Sequence, residues 1–368
     1  MAQPGPRAQH RPPQSLSSTL QLALLAVVGL AVVVAVPLFL TSSTLAWFES
    51  TPFFGTHTSH SMSSIKNVAV AGGTGALGTP IVEDLIKSGF NVTLLTREGS
   101  TSKAPAGVAA VKAVDYKSVE SIKAALAGQH AVVSVLGSLA AGEQTPLVDA
   151  AAATSSVIRF IPSEFGVNTR KTPGTAIGGI LGAKTGLVDH LTAITKTNKT
   201  LKWTGISNGH FFDWGLVYGS LGIDAKSKTV TVYDSGNEKF GASNLPYVAR
   251  AVTKVLQQAG TADDKTANKY IEIAGFTPTQ NEIKAALEKI SGTEWATAKA
   301  KTADVQKDAE AKLAQGDYSV FGALLSVWQF ADGAGHAPDL SSPESGNQLL
   351  GLEPESIEPA LSAWWSKQ

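Results

Sequence analysis

The chain has 368 residues, with 30 Lys and Arg side chains against 30 Asp and Glu, so its formal net charge at pH 7 is zero. This balance argues against a nucleic-acid surface, and the length supplies one large core or a core with a smaller lobe. Cysteine is absent, which excludes disulfides, thiolate catalysis and cysteine-ligated metals, and the seven histidines lack the HExxH spacing of a metal hydrolase, so we expect no metal site.

Three segments precede the first globular elements. Residues 1–19 form a polar, proline-bearing tail, residues 20–40 are almost wholly apolar, and residues 41–63 form a linker. An apolar run of about 20 residues matches the hydrocarbon core of a bilayer, so we predict a transmembrane helix or signal anchor over 20–40. A cleaved signal peptide is the alternative, although the Thr44-Leu45-Ala46 segment resembles a cleavage site only in part.

Met62 offers a second start for the chain. Arg7 and Arg11 predict a cytoplasmic N-terminus, which would place the following domain across the membrane from the cytosolic dinucleotide pool. Met62 leads into the first predicted strand as the start of a soluble protein would. The chain as written is therefore predicted to be a single-pass membrane-anchored protein, whereas translation from Met62 predicts a cytoplasmic one.

A glycine-rich turn joins the first predicted strand to the first predicted helix. Val68–Ala71 is uniformly apolar, as in a strand buried on both faces. Three glycines follow at once: Gly72, Gly75 and Gly78. The helix has Pro80 in its first turn, and Asn91–Leu95 is predicted to be the second strand. This βαβ pattern favours a dinucleotide site, because the turn and the helix dipole can bind a pyrophosphate; a tight turn without a ligand is the alternative.

Strands and helices continue to alternate along the chain. We predict strands within 108–114, 131–136, 157–161, 201–206 and 229–233, and helices over 118–126, 144–153, 180–195, 245–258 and 280–290. Strands separated by helices of this length form a parallel sheet with helices on both faces. The predicted fold class is therefore α/β, a Rossmann doubly wound parallel sheet with a smaller C-terminal substrate lobe, preceded by one transmembrane helix.

The residues after the second strand bear on the choice of cofactor. Arg97 favours NADP, because its planar guanidinium can hold the 2′-phosphate with two hydrogen bonds, and Lys103 is a weaker second phosphate partner. Glu98 keeps NAD open, since a carboxylate at this place can accept hydrogen bonds from the ribose hydroxyls.

The fifth predicted strand runs into a short turn that contains Ser163 and Phe165. Ligands of an open parallel sheet bind beyond the carboxyl ends of the strands, so this turn is expected to border the cleft. A purely structural turn, shaped by Pro162 and Gly166, is an equal alternative.

Lys184 lies on a predicted helix face that should pack inward. It shares that face with Leu187, Val188 and Leu191, three, four and seven positions further on. A partly desolvated lysine beside a nicotinamide can act as a general acid or base, because burial lowers its pKa toward neutrality. A lysine whose ammonium extends to solvent is the alternative.

Several of these segments together resemble a known family. The turn GGTGALG, the Thr-Arg after the second strand, RFIPSEFG after the fifth, Lys184, and the Ser-Asn before Phe211 are similar to the isoflavone reductase and phenylcoumaran benzylic ether reductase group of the NmrA-like atypical short-chain dehydrogenases. The likeness spans roughly residues 64–330 and leaves 331–368 as a C-terminal helical segment. No tyrosine is followed four places later by lysine, so the Tyr–Lys pair of ordinary short-chain dehydrogenases cannot form locally.

The resemblance implies an NADPH-dependent reductase that transfers a hydride to a phenolic or related aromatic small molecule, with Lys184 as the general acid or base. By position it implies a cofactor site made of Gly72, Thr74, Gly75, Ala76, Leu77, Gly78, Arg97, Lys103, Gly137, Ser163 and Phe165, with Asn208 and Phe211 on the substrate. It is compatible with a homodimer. A non-catalytic NAD(P)-sensing regulator of the NmrA type is the alternative, and Lys184 favours the reductase, because a sensor needs no lysine at the nicotinamide.

Overall fold

Residues 65–137 and 144–368 are described by the computed structural model, and they belong to one unit of the chain. The predicted transmembrane helix over 20–40 lies outside the described residues. Among those described, no helix combines the length and the apolar character needed to cross a bilayer. Membrane anchoring therefore stays a prediction.

Most of the regular structure in the described residues consists of β-strands and α-helices. The strands are β1 (Asn67–Ala71), β2 (Asn91–Arg97), β3 (Ala110–Val114), β4 (Ala131–Ser134), β5 (Arg159–Ile161), β6 (Lys202–Ser207), β7 (His210–Phe211), β8 (Ile223–Asp224), β9 (Thr229–Tyr233), β10 (Ala242–Ser243), β11 (Lys269–Glu272) and β12 (Ala296–Ala300). The helices are α1 (Gly78–Lys87), α2 (Val119–Leu126), α3 (Gln144–Ala152), α4 (Ala176–Thr197), α5 (Phe212–Tyr218), α6 (Leu245–Gln258), α7 (Gln280–Ser291), α8 (Thr302–Leu313), α9 (Phe321–Phe330), α10 (Gly346–Leu350) and α11 (Glu358–Trp365).

A parallel sheet of seven described strands forms the centre of the fold. Its order is β3-β2-β1-β4-β5-β6-β11, so the direction of winding reverses between β1 and β4. Val68–Ala71 of β1 is completely buried, because β2 and β4 flank it and helices cover both of its faces. Ligands of such sheets bind beyond the carboxyl ends of the strands at this reversal, and the glycine turn lies there.

Helices cover both faces of the sheet, as the alternating pattern predicts. On one face α1 and α6 pack together, with Ile81, Leu85 and Val252 among the buried side chains. On the other face α2, α3 and α4 contribute Ile122, Leu147 and Leu187, respectively, to a second apolar layer. The predicted doubly wound α/β fold is therefore confirmed.

A smaller lobe follows β6 in the chain. It contains the sheet β12-β9-β8, the pair β10-β7 and helices α5, α7 and α11. Its core is rich in aromatic side chains, including Phe212, Phe240, Trp295, Phe330 and Trp364. Large rings of this kind bury much apolar area per residue, which suits a lobe with short strands.

Helix α4 contributes to two apolar clusters, one against the central sheet and one with α8 and α9. Its C-terminal half buries Leu187 and Leu191 against the central sheet, whereas its N-terminal half buries Ile177 and Leu181 against α8 and α9. Lys184 lies between these halves. The helix begins at 176, four residues before the predicted start. The prediction missed these first turns because their glycines have low intrinsic helix propensity, and it is tertiary packing that holds them in the helix.

Candidate active site

The glycine turn has the geometry that its sequence predicts. Gly72 adopts a φ of +80°, and a Cβ there would lie 2.6 Å from the Val135 carbonyl oxygen. A Cβ on Gly78 would lie 2.1 Å from the carbonyl oxygen of Gly72. Gly75 is exposed, and a Cβ there would meet only the Gly72 oxygen at 3.4 Å. The first and third glycines are thus required by the fold, whereas the second faces outward.

The N-terminus of α1 is suited to an anion. Leu77 precedes the helix, and no side chain caps its first turn, in which the Thr79 N–H donates to the Gly75 carbonyl at 2.9 Å and Pro80 has no N–H. Uncapped N–H groups at a helix start, together with the positive end of the dipole, bind phosphate favourably. Thr74 and Ala76 extend the same turn, with Ala76 exposed. The residues present therefore fit a dinucleotide pyrophosphate.

Three further predicted cofactor residues lie on the surface near the strand ends. Arg97 ends β2 and is exposed, and it forms no ion pair with any residue in 65–137 or 144–368. Lys103 is exposed in the connection from β2 to β3, and Gly137 is exposed after β4. Their contacts with a cofactor stay predictions.

A cleft of about 490 Å³ lies beside the glycine turn. Of the predicted site residues that the structure describes, those lining it are Ala76, Leu77, Phe165, Lys184 and Phe211. Most of the remaining wall is apolar or aromatic, from Leu181, Trp214, Tyr218, Leu245, Phe321 and Leu325, with polar groups from Thr169, His210, Ser220 and Gln329. The tertiary structure thus brings the turn, the lysine and the small lobe to one cavity.

Lys184 is buried, with 6% of its surface exposed, as its position among apolar neighbours predicts. Its Nζ donates a hydrogen bond to the carbonyl oxygen of Phe165 at 3.1 Å, which directs the ammonium along the cleft wall. Burial lowers the pKa of Lys184 below its ordinary value, and the nearby Glu164 carboxylate opposes this shift in part. A lysine with a lowered pKa can give up its proton more readily than a solvated one.

Glu164 is completely buried beneath this lysine. Its Oε2 accepts hydrogen bonds from the Thr169 hydroxyl and, at 3.2 Å, from the Tyr270 hydroxyl. Its Oε1 is buried without a partner among the described residues. Burial raises the pKa of this carboxyl group, and the hydrogen bonds and Lys184 oppose the rise. Although Glu164 stands in the quoted RFIPSEFG segment, the sequence assigned it no role, because only packing shows that it faces Lys184.

A family model described as the NmrA-like family matches residues 64–315. The chain belongs to the NmrA-like family. Among curated relatives, oxidoreductase poxI of Penicillium oxalicum is 29% identical over 291 residues, covering 78% of this chain and 90% of the relative. The isoflavone reductase homolog IRL of Zea mays is 36% identical over 250 residues, covering 63% of this chain and 76% of the relative.

A solved structure shares the fold of this NmrA-like protein. The leucoanthocyanidin reductase of Vitis vinifera in complex with NADPH superposes with a TM-score of 0.67 at 18% identity, covering 82% of this chain and 99% of that one. At this identity the likeness concerns the fold. The predicted resemblance to isoflavone reductases and their relatives is confirmed by the family match and by the relatives named above.

Two predicted site residues of this NmrA-like protein lie behind the cleft wall. Ser163 is buried, and its hydroxyl donates to the Leu136 carbonyl at 2.7 Å. Asn208 is fully buried, and its Oδ1 accepts from the Gly166 N–H at 2.9 Å. Neither is among the cleft-lining residues. Asn208 therefore supports the Gly166 turn, where φ is +113°, and its contact with a substrate stays a prediction.

Apart from Phe211, the sequence did not single out the polar and aromatic residues that the small lobe adds to the cleft. Trp214 and Tyr218 stand four positions apart on α5, with ring centroids 4.4 Å apart. Their exposure is unusual for large apolar side chains. The only signal in the sequence was the aromatic spacing along one short helix, which does not show where that helix packs.

Proposed function

We propose that this protein is an NADPH-dependent reductase that transfers a hydride to a phenolic or related aromatic small molecule, with Lys184 as the general acid. The observation that carries this proposal is the position of Lys184, which is buried and lines the same cleft as Ala76 and Leu77 of the glycine turn. A catalytic lysine and a cofactor turn that share one cavity can act on one substrate.

The cofactor is NADPH, the cofactor in the Vitis vinifera reductase complex that shares this fold. Gly72 and Gly78 allow the backbone of the turn to pack closely, and exposed Gly75 leaves room for the pyrophosphate at the start of α1. Arg97 is free to bind the 2′-phosphate, because the described residues supply it with no carboxylate partner. When bound, NADPH supplies the hydride.

The substrate class follows from the cleft wall. Trp214, Tyr218, Phe321 and Leu325 present apolar and aromatic surface, and the cavity of about 490 Å³ accommodates a molecule of two or three rings. Flat aromatic rings can stack on such side chains. The names of the maize and grape relatives, an isoflavone reductase homolog and a leucoanthocyanidin reductase, support the same class.

Lys184 performs the proton transfer. As the hydride adds to the substrate, negative charge develops on the group that must be protonated, and the Lys184 ammonium donates its proton there. The Phe165 carbonyl orients Nζ through its hydrogen bond at 3.1 Å. Glu164 stabilises the ammonium form between turnovers, since its carboxylate lies near Lys184 in the buried interior.

The experiment that tests this function follows NADPH oxidation at 340 nm by the purified protein, against a panel of aromatic ketones, enones and benzylic ethers. We expect turnover with at least one class and tight NADPH binding by fluorescence. Tight binding without oxidation of any acceptor would favour the sensor function. Absence of NADPH binding would contradict the assignment of the glycine turn.

Arg97→Ala is expected to lower the affinity for NADPH by about 10 to 100-fold and to leave the affinity for NADH nearly unchanged. A charge-assisted hydrogen bond contributes about 1.5 to 3 kcal/mol, and NADH lacks the 2′-phosphate that would receive it. Fluorescence titration of both nucleotides measures the effect, and NADH serves as the internal control. Equal losses for the two nucleotides would show that Arg97 supports the fold rather than the phosphate.

Glu164→Gln is expected to shift the pH profile of kcat toward lower pH. Lys184 must be protonated to act as an acid, so kcat falls as the pH rises through the pKa of Lys184. Burial lowers that pKa and the Glu164 carboxylate raises it, so removing the carboxylate moves the alkaline decline to lower pH. Glu310→Gln, on an exposed position of α8, is the matched control. An unchanged profile would mean that Glu164 is already neutral.

A further inference from the structure

A chain of three polar side chains lines the small-lobe side of the cleft and has no part in the reaction described above. It joins His210 of β7, Ser220 after α5 and Gln329 of α9. The distance from His210 Nε2 to Ser220 Oγ is 2.9 Å, and that from His210 Nδ1 to Gln329 Oε1 is 2.8 Å. Three separate elements of the lobe therefore converge on one imidazole.

The imidazole of His210 is neutral at physiological pH. Burial lowers the pKa of His210 to about 4. A neutral imidazole has one N–H donor and one acceptor nitrogen. Because the carboxamide oxygen of Gln329 faces Nδ1, the proton lies on Nδ1, and Nε2 accepts the hydrogen bond from the Ser220 hydroxyl.

In this arrangement the Ser220 hydroxyl donates its proton to His210 Nε2 and cannot donate it to a ligand. The lone pairs of Ser220 Oγ are left for a ligand, and Ser220 lines the cleft. Trp214, Phe321 and Leu325 line the same cleft and offer no acceptor from their side chains. Ser220 thus presents to this largely apolar cleft an acceptor for a ligand O–H group.

Packing holds the imidazole in place. The ring of His210 lies against the backbone of Gly215, where a Cβ would approach Nε2 to 2.6 Å. Its edge meets the ring of Phe240, with centroids 6.3 Å apart and an interplanar angle of 83°. An acceptor whose partners cannot reorient is preorganised, so a ligand loses little entropy in fixing it.

We propose that Ser220, held by His210 and Gln329, accepts a hydrogen bond from a hydroxyl group of the substrate, and that the cleft thereby selects hydroxylated aromatic compounds over their O-methylated counterparts. This selectivity rests on the reductase function proposed above, since it refines the substrate of the same cleft. A methyl ether lacks the donor and leaves the Ser220 acceptor unpaired, which costs binding energy.

The test is isothermal titration calorimetry on the full protein saturated with NADP⁺, with 4-hydroxychalcone and 4-methoxychalcone as probes. The wild-type protein should bind the hydroxy compound about tenfold more tightly, as expected for one hydrogen bond. Ser220→Ala should bring the ratio of the two dissociation constants to about one by weakening only the hydroxy compound. Ser220→Thr retains a hydroxyl and should retain the preference.

Ser362→Ala, at an exposed position of α11, is the matched control and should keep the wild-type ratio. An unchanged ratio in Ser220→Ala overturns the proposal, as does equal binding of both probes, or binding of neither, by the wild-type protein. A parallel NADPH oxidation assay separates the two proposals. If the ratio of dissociation constants depends on Ser220 but no NADPH is oxidised, the hydroxyl-binding role of Ser220 is supported and the reductase function is contradicted. If NADPH is oxidised but Ser220→Ala leaves the ratio unchanged, the reductase function is supported and the role of Ser220 is contradicted.

Discussion

Replacing Lys184 with methionine should lower turnover by about 10² to 10⁴-fold while NADPH affinity changes little. Methionine keeps the apolar stem of the side chain in its buried place and removes the proton donor. The proposed phosphate contacts lie elsewhere, at the glycine turn and Arg97, so the cofactor should still bind. Single-turnover NADPH oxidation and a fluorescence titration of NADPH measure the two quantities separately.

The controls for this variant address its charge and its fold. Loss of Lys184 removes the stronger of the two cationic interactions of buried Glu164 and leaves the one with Arg170, and a poorly compensated buried carboxylate can itself destabilise the protein. The double variant Lys184→Met with Glu164→Gln removes that charge, and it should be as inactive as the single variant. Lys196→Met, at an exposed position of the same helix, should keep full turnover. A Lys184→Met protein that still turns over would refute the acid role.

Gly78→Ala should destabilise the protein, whereas Gly75→Ala should weaken NADPH binding alone. A Cβ on Gly78 would lie 2.1 Å from the Gly72 carbonyl oxygen, which forces α1 away from β1. We expect a loss of about 3 kcal/mol in the free energy of unfolding without cofactor, as for other overpacked or strained sites. A Cβ on Gly75 would make only an ordinary contact at 3.4 Å, so stability should stay within about 0.5 kcal/mol of wild type.

The Gly75→Ala variant is expected to differ from wild type in its affinity for NADPH. A methyl group on exposed Gly75 keeps the pyrophosphate away from the backbone, so we expect NADPH affinity to fall at least about tenfold. Chemical denaturation without NADPH measures stability, and fluorescence titration measures affinity. Gly186→Ala, at an open exposed position of α4, should change neither property by much. If Gly75→Ala binds NADPH like wild type, the turn does not contact the pyrophosphate.

The predicted bounds of strands and helices agree with the structure where the apolar residues of a segment follow one clear period. The bounds predicted for β9 and α6 are those observed, because Thr229–Tyr233 alternates strictly and Leu245–Gln258 has one clear apolar face. Helix α4 instead begins at Ala176, before its predicted start at 180. Glycines in its first turns lower local helix propensity, and Thr175 caps the helix through its side chain.

The candidate site was predicted only in part. The inward position of Lys184 could be read from Leu187, Val188 and Leu191, since helical spacing places all four on one face, and the structure confirms its burial. The contact between His210 and Gln329 joins residues 119 positions apart, a separation that no local pattern encodes. Asn208 accepts a hydrogen bond from the Gly166 N–H, and its contact with a substrate stays a prediction.

The sequence by itself determined the parallel sheet, the glycine turn and the inward-facing lysine, because each depends on local spacing: apolar runs, backbone angles available only to glycine, and the repeat of the helix. The tertiary structure alone decided which groups meet across the cleft. Glu164 beneath Lys184, and Ser220 bonded to His210, depend on how α4, α5 and α9 pack. Such long-range contacts follow from the shape of the whole core, which local periodicity does not contain.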